Sequence, residues 1–149
     1  MVAGRVTVTF AGSGDAFGSG GRYQACIHLR GPDGAVAGVH AAAWAADHPS
    51  GAPALALRLT LGATVIAYTG DTAWTGTLTE VADQADLLIA EAYYRDKRVP
   101  FHLSLADLTA HRAELTSRRI VLTHMSADML GHQDQSGFET AEDGLVLRV

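Results

Sequence analysis

Apolar and polar residues alternate at residues 6–10, Val-Thr-Val-Thr-Phe, which predicts a strand with one buried face. Residues 24–29 read as a second strand. Leu55, Leu57, Leu59 and Leu61 fall at every second position and predict a half-buried strand over residues 54–61. Gly62-Ala63 turns this strand into the run that starts at Val65, so the two predict a hairpin. The runs Val65-Ile66-Ala67-Tyr68, Leu87-Leu88-Ile89-Ala90 and Ile120-Val121-Leu122 are continuous and suit buried strands. Between the last three runs the period changes. Leu78, Val81, Ala82 and Ala85 lie on one face of a short helix within residues 76–85. Ser104-Leu105-Ala106-Asp107 resembles a capping box with Asp in the place of Glu, and opens a helix to about Leu115. Residues 125–136 are polar and irregular, and residues 144–149 predict a closing strand. Residues 35–46 are alanine-rich and fit strand and helix equally badly.

Glycines punctuate the first loop, AGSGDAFGSGG. Gly18, Gly20 and Gly21 leave no clean helix start, so a dinucleotide-type phosphate cradle is not expected. The loop reads instead as backbone passing close to a neighbour. Gly31-Pro32-Asp33-Gly34 is a strong turn signal. With no repeat and no linker-like tract, one domain over residues 1–149 is the expectation. Alternation of strand and helix in the second half predicts an α/β or layered α+β fold.

Composition narrows the function classes. With 48% apolar residues the chain is globular in character, and no apolar run is long enough to span a membrane. The net charge of −5 argues against a broad nucleic-acid surface. The basic runs at residues 95–98 and at Arg118-Arg119 read as solvated faces. The N-terminus shows no signal-peptide pattern, and the lone Cys26 has no internal disulfide partner, so a cytoplasmic protein is expected. Cys26 itself reads as a small core residue.

Three buried strands end alike, in Asp71, Glu91 and His124. A chargeable group at such a place costs desolvation unless it is paired or metal-bound. If the strands are neighbours, the three groups share one rim. His48, on a proline-rich loop, and His102, before a helix, have the reach to join them. Two histidines and an aspartate suit Zn²⁺, and a glutamate beside a histidine suits proton transfer. The alternative for each is a turn, capping or packed residue, and at this point it stays open. His111 lies with Leu108 and Leu115 and reads as a packed or surface histidine.

The segments FAGSGDAFGSGGRYQAC, DHPSGAPALALRL, VIAYTGDTAW, ADLLIAEAYY, FHLSLADL and RRIVLTHMSADML, in this order, resemble the metallo-β-lactamase superfamily in its ribonuclease Z-like and arylsulfatase-like branch. The resemblance implies an α+β (αββα) sandwich with a two-metal site at one edge. It implies metal ligation by His48, Asp71 and His124, with Asp71 bridging, and Zn²⁺ or Mn²⁺ as the ion. It also implies a proton-transfer pair at Glu91 and His102, although Leu103 departs from the ribonuclease Z pattern. Metal-activated water would then hydrolyse a small ester or phosphodiester.

One departure is large. The family's HxHxDH segment, which supplies four ligands, is absent from the sequence between the second strand and Asp47-His48. One strand–helix block of the N-terminal half is missing, near residues 34–39. Three of the implied ligands remain. The sequence is therefore compatible with a hydrolase, or with a non-catalytic remnant acting as a binding or oligomerising module. Loss of a helix layer is expected to bare an apolar face, and a homo-oligomer would cover it.

Overall fold

The computed structural model describes residues 5–31 and 38–149. The Pro32-Asp33-Gly34 part of the predicted turn and the start of the alanine-rich region lie outside the described residues. The described chain forms two sheets and three short helices. The smaller sheet has the order β2-β1-β9, with β1 at Thr7–Gly12, β2 at Cys26–Arg30 and β9 at Val146–Arg148. The larger sheet runs β3-β4-β5-β6-β7-β8. Its strands are Val39–Ala45, Leu55–Leu61, Thr64–Tyr68, Leu87–Glu91, Ile120–Thr123 and Glu139–Thr140.

Pleating decides which side chains meet. Val8 and Phe10 of β1 and Leu147 of β9 face Ile66, Leu87, Ile89 and Val121 of the larger sheet. This layer is the core between the sheets. The opposite parity of the larger sheet, including Ala67, Leu88, Ala90 and Leu122, packs against α1 (Thr77–Ala82), α2 (Leu105–Ala110) and α3 (Ala127–Leu130). The helices are too short to be stable alone, so the packed face holds them. Ser104 caps α2 as predicted: its hydroxyl accepts from the Asp107 amide at 3.1 Å, and the Asp107 carboxylate accepts from the Ser104 amide at 3.1 Å.

Strands β5, β6 and β7 are parallel neighbours, with Ala67 opposite Leu88 and Glu91 opposite Thr123. Their C-terminal ends therefore lie side by side at one edge of the sandwich. Crevices at such ends are where sheets of this kind place polar chemistry.

Several readings change, among them the irregular reading of residues 125–136, a stretch that contains α3. The alanine-rich segment becomes β3, paired antiparallel along its whole length with β4. Alanine has little preference of its own, and the pairing decides. Helix α2 stops at Ala110, yet Leu115 is still buried, carried inward by a turn at residues 111–114. Cys26 is exposed, because it lies on the outward parity of β2. The outer face of the smaller sheet is also not apolar. Thr7, Thr9, His28, Arg30 and Arg148 share it with one exposed apolar residue, Val146, through the register of β1 with β2 and β9.

Candidate metal centre

The turn after β5 sets the centre. Thr69 is tied to β6 by its amide, which donates to the Ile89 carbonyl at 3.1 Å, and by its hydroxyl, which accepts from the Glu91 amide at 3.0 Å. Gly70 then takes a φ of 61°, and a Cβ there would meet the Leu55 carbonyl oxygen at 2.7 Å. Only glycine allows the chain to turn this close to β4. Asp71 follows, partly exposed on the rim.

Glu91 ends β6 fully buried. Its Oε2 accepts from the Thr72 amide at 3.0 Å and the Leu103 amide at 3.3 Å. Its Oε1 is hydrogen-bonded to Nδ1 of His102. Both carboxylate oxygens are thus already engaged, which casts Glu91 as the group that orients His102. Burial pushes the Glu91 carboxyl above its usual range, against the hydrogen bond from His102. That same hydrogen bond holds the His102 imidazolium above its usual range, against burial.

His124 follows β7 with a φ of 56°, an uncommon conformation for a residue other than glycine. Its amide donates to the Ser13 carbonyl at 3.1 Å, so the glycine-rich loop holds it. The residue is 6% exposed, and burial lowers its pKa. A neutral imidazole is the form that binds a metal. His124 Nε2 lies 3.6 Å from Asp71 Oδ2 and 3.9 Å from Glu91 Oε1.

Ligand atoms of His48, Asp71 and His102 all lie within 4.8 Å of one another, and so do those of Glu91, His102 and His124. All five residues singled out in the sequence therefore line one rim, but the set His48, Asp71 and His124 is not itself gathered within 4.8 Å, since His48 and His124 fall in different groups. His102 belongs to both groups, and Asp71 reaches His124 directly. Two or more imidazoles with one free carboxylate form a donor set that fits one borderline divalent cation.

Several residues of the rim carry no ligand pattern in the sequence. The Tyr93 ring stacks on His102 with centroids 4.7 Å apart. Asp15 is buried in the first loop, where its carboxylate accepts from the Phe17 and Ser19 amides at 3.1 and 3.0 Å. Asp143 holds the same loop from the other end, accepting from the Ser13 amide at 2.8 Å and the Tyr23 amide at 2.8 Å. Tyr93 could have been found by its place two residues beyond Glu91. Asp143 has no sequence signal, because its partners are more than a hundred positions away.

A family profile described as "Beta-lactamase superfamily domain" matches residues 27–125, well over half of the chain. The chain belongs to the metallo-β-lactamase superfamily. No curated protein matches it. Among solved structures the chain is similar to the metallo-β-lactamase fold protein YhfI from Bacillus subtilis, at 21% identity and a TM-score of 0.63, over 74% of this chain and 50% of that one. It is similar to the short form of human tRNase Z at 23% identity and a TM-score of 0.56, over 72% of this chain and 42% of that one. It is similar to Zn²⁺-bound PqqB from Methylobacterium extorquens at 17% identity and a TM-score of 0.57, over 74% and 50%. The chain thus spans half the length of these metallo-β-lactamase-fold proteins or less. At these identities the likeness is one of fold.

Proposed function

We propose that the chain is a metal-dependent hydrolase acting on a small ester or phosphodiester, with divalent metal, Zn²⁺ or Mn²⁺, held by His48, Asp71 and His124, the Asp71 carboxylate being shared between the two histidine sides. The observation that carries this reading is the position of Asp71. Its carboxylate stands within 4.8 Å of His48 ligand atoms and 3.6 Å from His124 Nε2. The histidines come from separate loops, and the carboxylate is the group both can share. An ion held there supplies Lewis-acid polarisation and a lowered water pKa.

The chain's own residues supply the rest. Glu91 accepts the Nδ1 proton of His102 and fixes its ring, which leaves Nε2 to hand a proton to a leaving-group oxygen. Tyr93 limits rotation of that ring by stacking on it. The net charge of −5 favours a small substrate over structured nucleic acid. The similar human protein is named as a tRNase Z, and that activity belongs to it. Turnover of bis(p-nitrophenyl) phosphate by metal-stripped protein, with and without added Zn²⁺ or Mn²⁺, tests the proposal. Metal-stimulated release of p-nitrophenolate is the expected outcome; a rate indifferent to metal sinks it.

A second reading is a module that pairs with a second copy of itself. Ile27 and Leu29 of β2 and Leu57 and Leu59 of β4 are only partly buried and line an apolar cavity of about 240 Å³ between the sheets. The edge strand β3 carries no charged residue, so a second copy meets no like charge along it. Sedimentation equilibrium at micromolar concentration would show a dimer on this reading, and a stable monomer contradicts it.

A further inference from the structure

Val99, Pro100, Phe101 and His102 form a tight turn closed by the His102 amide, which donates to the Val99 carbonyl at 3.3 Å. Proline suits the second position of such a turn because its ring presets φ. The third position, when φ is positive, ordinarily takes glycine. Phe101 occupies it here, with a φ of 68°. A bulky residue in this conformation is strained, and strain of this kind collects at functional positions. Core packing does not account for it, since Phe101 is 41% exposed. Glycine would make the same turn at lower cost.

The ring borders a hollow of about 470 Å³ that it shares with Trp74, Pro100, Arg98 and His102. Trp74 is braced by His111, which stacks on it with centroids 3.9 Å apart and planes 9° from parallel. His111 is itself hydrogen-bonded to Glu114 at 2.7 Å. The hollow thus has two aromatic walls, one of them stiffened. Arg98 gives it a cation: its side chain is 84% exposed, and its ion pair with Asp107 is long, at 3.6 Å. His102, the proton-transfer residue, opens into the same space. Aromatic walls select a planar ring, and an exposed guanidinium selects a phosphate oxygen.

We propose that this hollow is the subsite for a planar aromatic group carried on a phosphoester, with the ring against Phe101 and Trp74 and the phosphate toward Arg98 and His102. The inference names the substrate class and rests on the hydrolase reading above. An aryl phosphodiester and a nucleotide-type phosphodiester share this chemistry.

Chemical-shift titration of the metal-stripped full chain with phenyl phosphate, thymidine 5′-phosphate and methyl phosphate tests it without depending on metal or turnover. Base–aromatic stacking predicts that the better ring-bearing ligand binds about tenfold more tightly than methyl phosphate. Whichever of phenyl phosphate and thymidine 5′-phosphate binds more tightly identifies the ring. Phe101→Gly is expected to erase the preference while the thermal midpoint stays within about 5 °C of the parent, because relief of the turn offsets the added freedom of glycine. Phe101→Tyr keeps the preference, and Arg98→Gln weakens all three ligands alike. Equal binding of the three phosphates to the parent overturns the proposal, as does a Phe101→Gly protein that keeps the preference or unfolds. A hydrolase reading that fails on metal leaves these titrations unaffected, so the two failures are told apart.

Discussion

The Thr72 side chain stands between the loop that carries His48 and the strand that carries Glu91. Its hydroxyl accepts from the Asp47 amide at 2.9 Å and donates to the Ala73 carbonyl at 2.8 Å, while its own amide donates to Glu91 Oε2 at 3.0 Å. The Ala73 amide returns a hydrogen bond to the Asp47 carbonyl at 3.1 Å. One small buried residue therefore couples a putting-in-place of His48 to the orientation of the Glu91–His102 pair. Thr72→Val keeps the shape and removes the hydroxyl. It is expected to cost about 1–3 kcal/mol, since the Asp47 amide loses its acceptor. Urea denaturation measures this cost, and faster exchange of the Asp47 amide proton would report the local release. Unchanged stability together with unchanged exchange would refute the coupling. The residue scale is also where the sequence is most and least readable. Asp71, Glu91 and His124 stand out because each terminates an apolar run, and desolvation makes such a place costly for an unpartnered group. Thr72 does not stand out, because a threonine in TGDT looks like any turn residue until its partners at Asp47 and Glu91 are in view.

At the scale of elements, strands with a strong pattern were legible and those held by pairing alone were not. The Leu55–Leu61 alternation and the capped start of α2 are where the pattern puts them. Strand β8 has only two residues, Glu139 and Thr140, and no hydrophobic period could announce it. It is held by its ladder with β7 and by a side-chain pair. Arg119 donates from Nε to Glu139 Oε1 at 2.6 Å and from its terminal nitrogen to Oε2 at 2.5 Å. The Arg119 guanidinium holds the Glu139 carboxyl below its usual range. A carboxyl depressed on folding adds stability above its unfolded pKa and loses it as pH falls through the folded one. Glu139→Gln should therefore be less stable than the parent at pH 7, and the gap should close below the ordinary glutamate range near 4.5. Both side chains are about one third to one half exposed, so solvent screening limits the difference to about 1 kcal/mol or less. A gap that persists at pH 3 in urea titrations would mean that the charge is not its source.

Across the whole molecule, the family fold survives with a shortened N-terminal half. The resemblance was legible because its motifs lie in strand ends and loops that the remaining elements still position. The consequence of the missing block was not legible. Removal of a helix layer is expected to bare an apolar face, and the outer face of the smaller sheet carries threonine, histidine and arginine beside the exposed Val146. The apolar surface left incompletely covered lies instead inside the sandwich, between β2 and β4. Which face of a strand looks outward depends on register, and register is a property of pairs of strands. The loss of HxHxDH changes the centre in the same indirect way. It removes four family ligands, but it leaves one carboxylate between histidines from different loops.

Asp71 organises the proposed centre, and a competitive metal titration tests this most directly. The metal-stripped parent and Asp71→Ala would each be titrated with Zn²⁺ against a chromogenic chelator, with circular dichroism to verify folding. The expected outcome is Zn²⁺ uptake by the parent chain and its loss in the folded Asp71→Ala protein. A parent that takes up no Zn²⁺, or an Asp71→Ala protein that binds it as the parent does, would contradict the account.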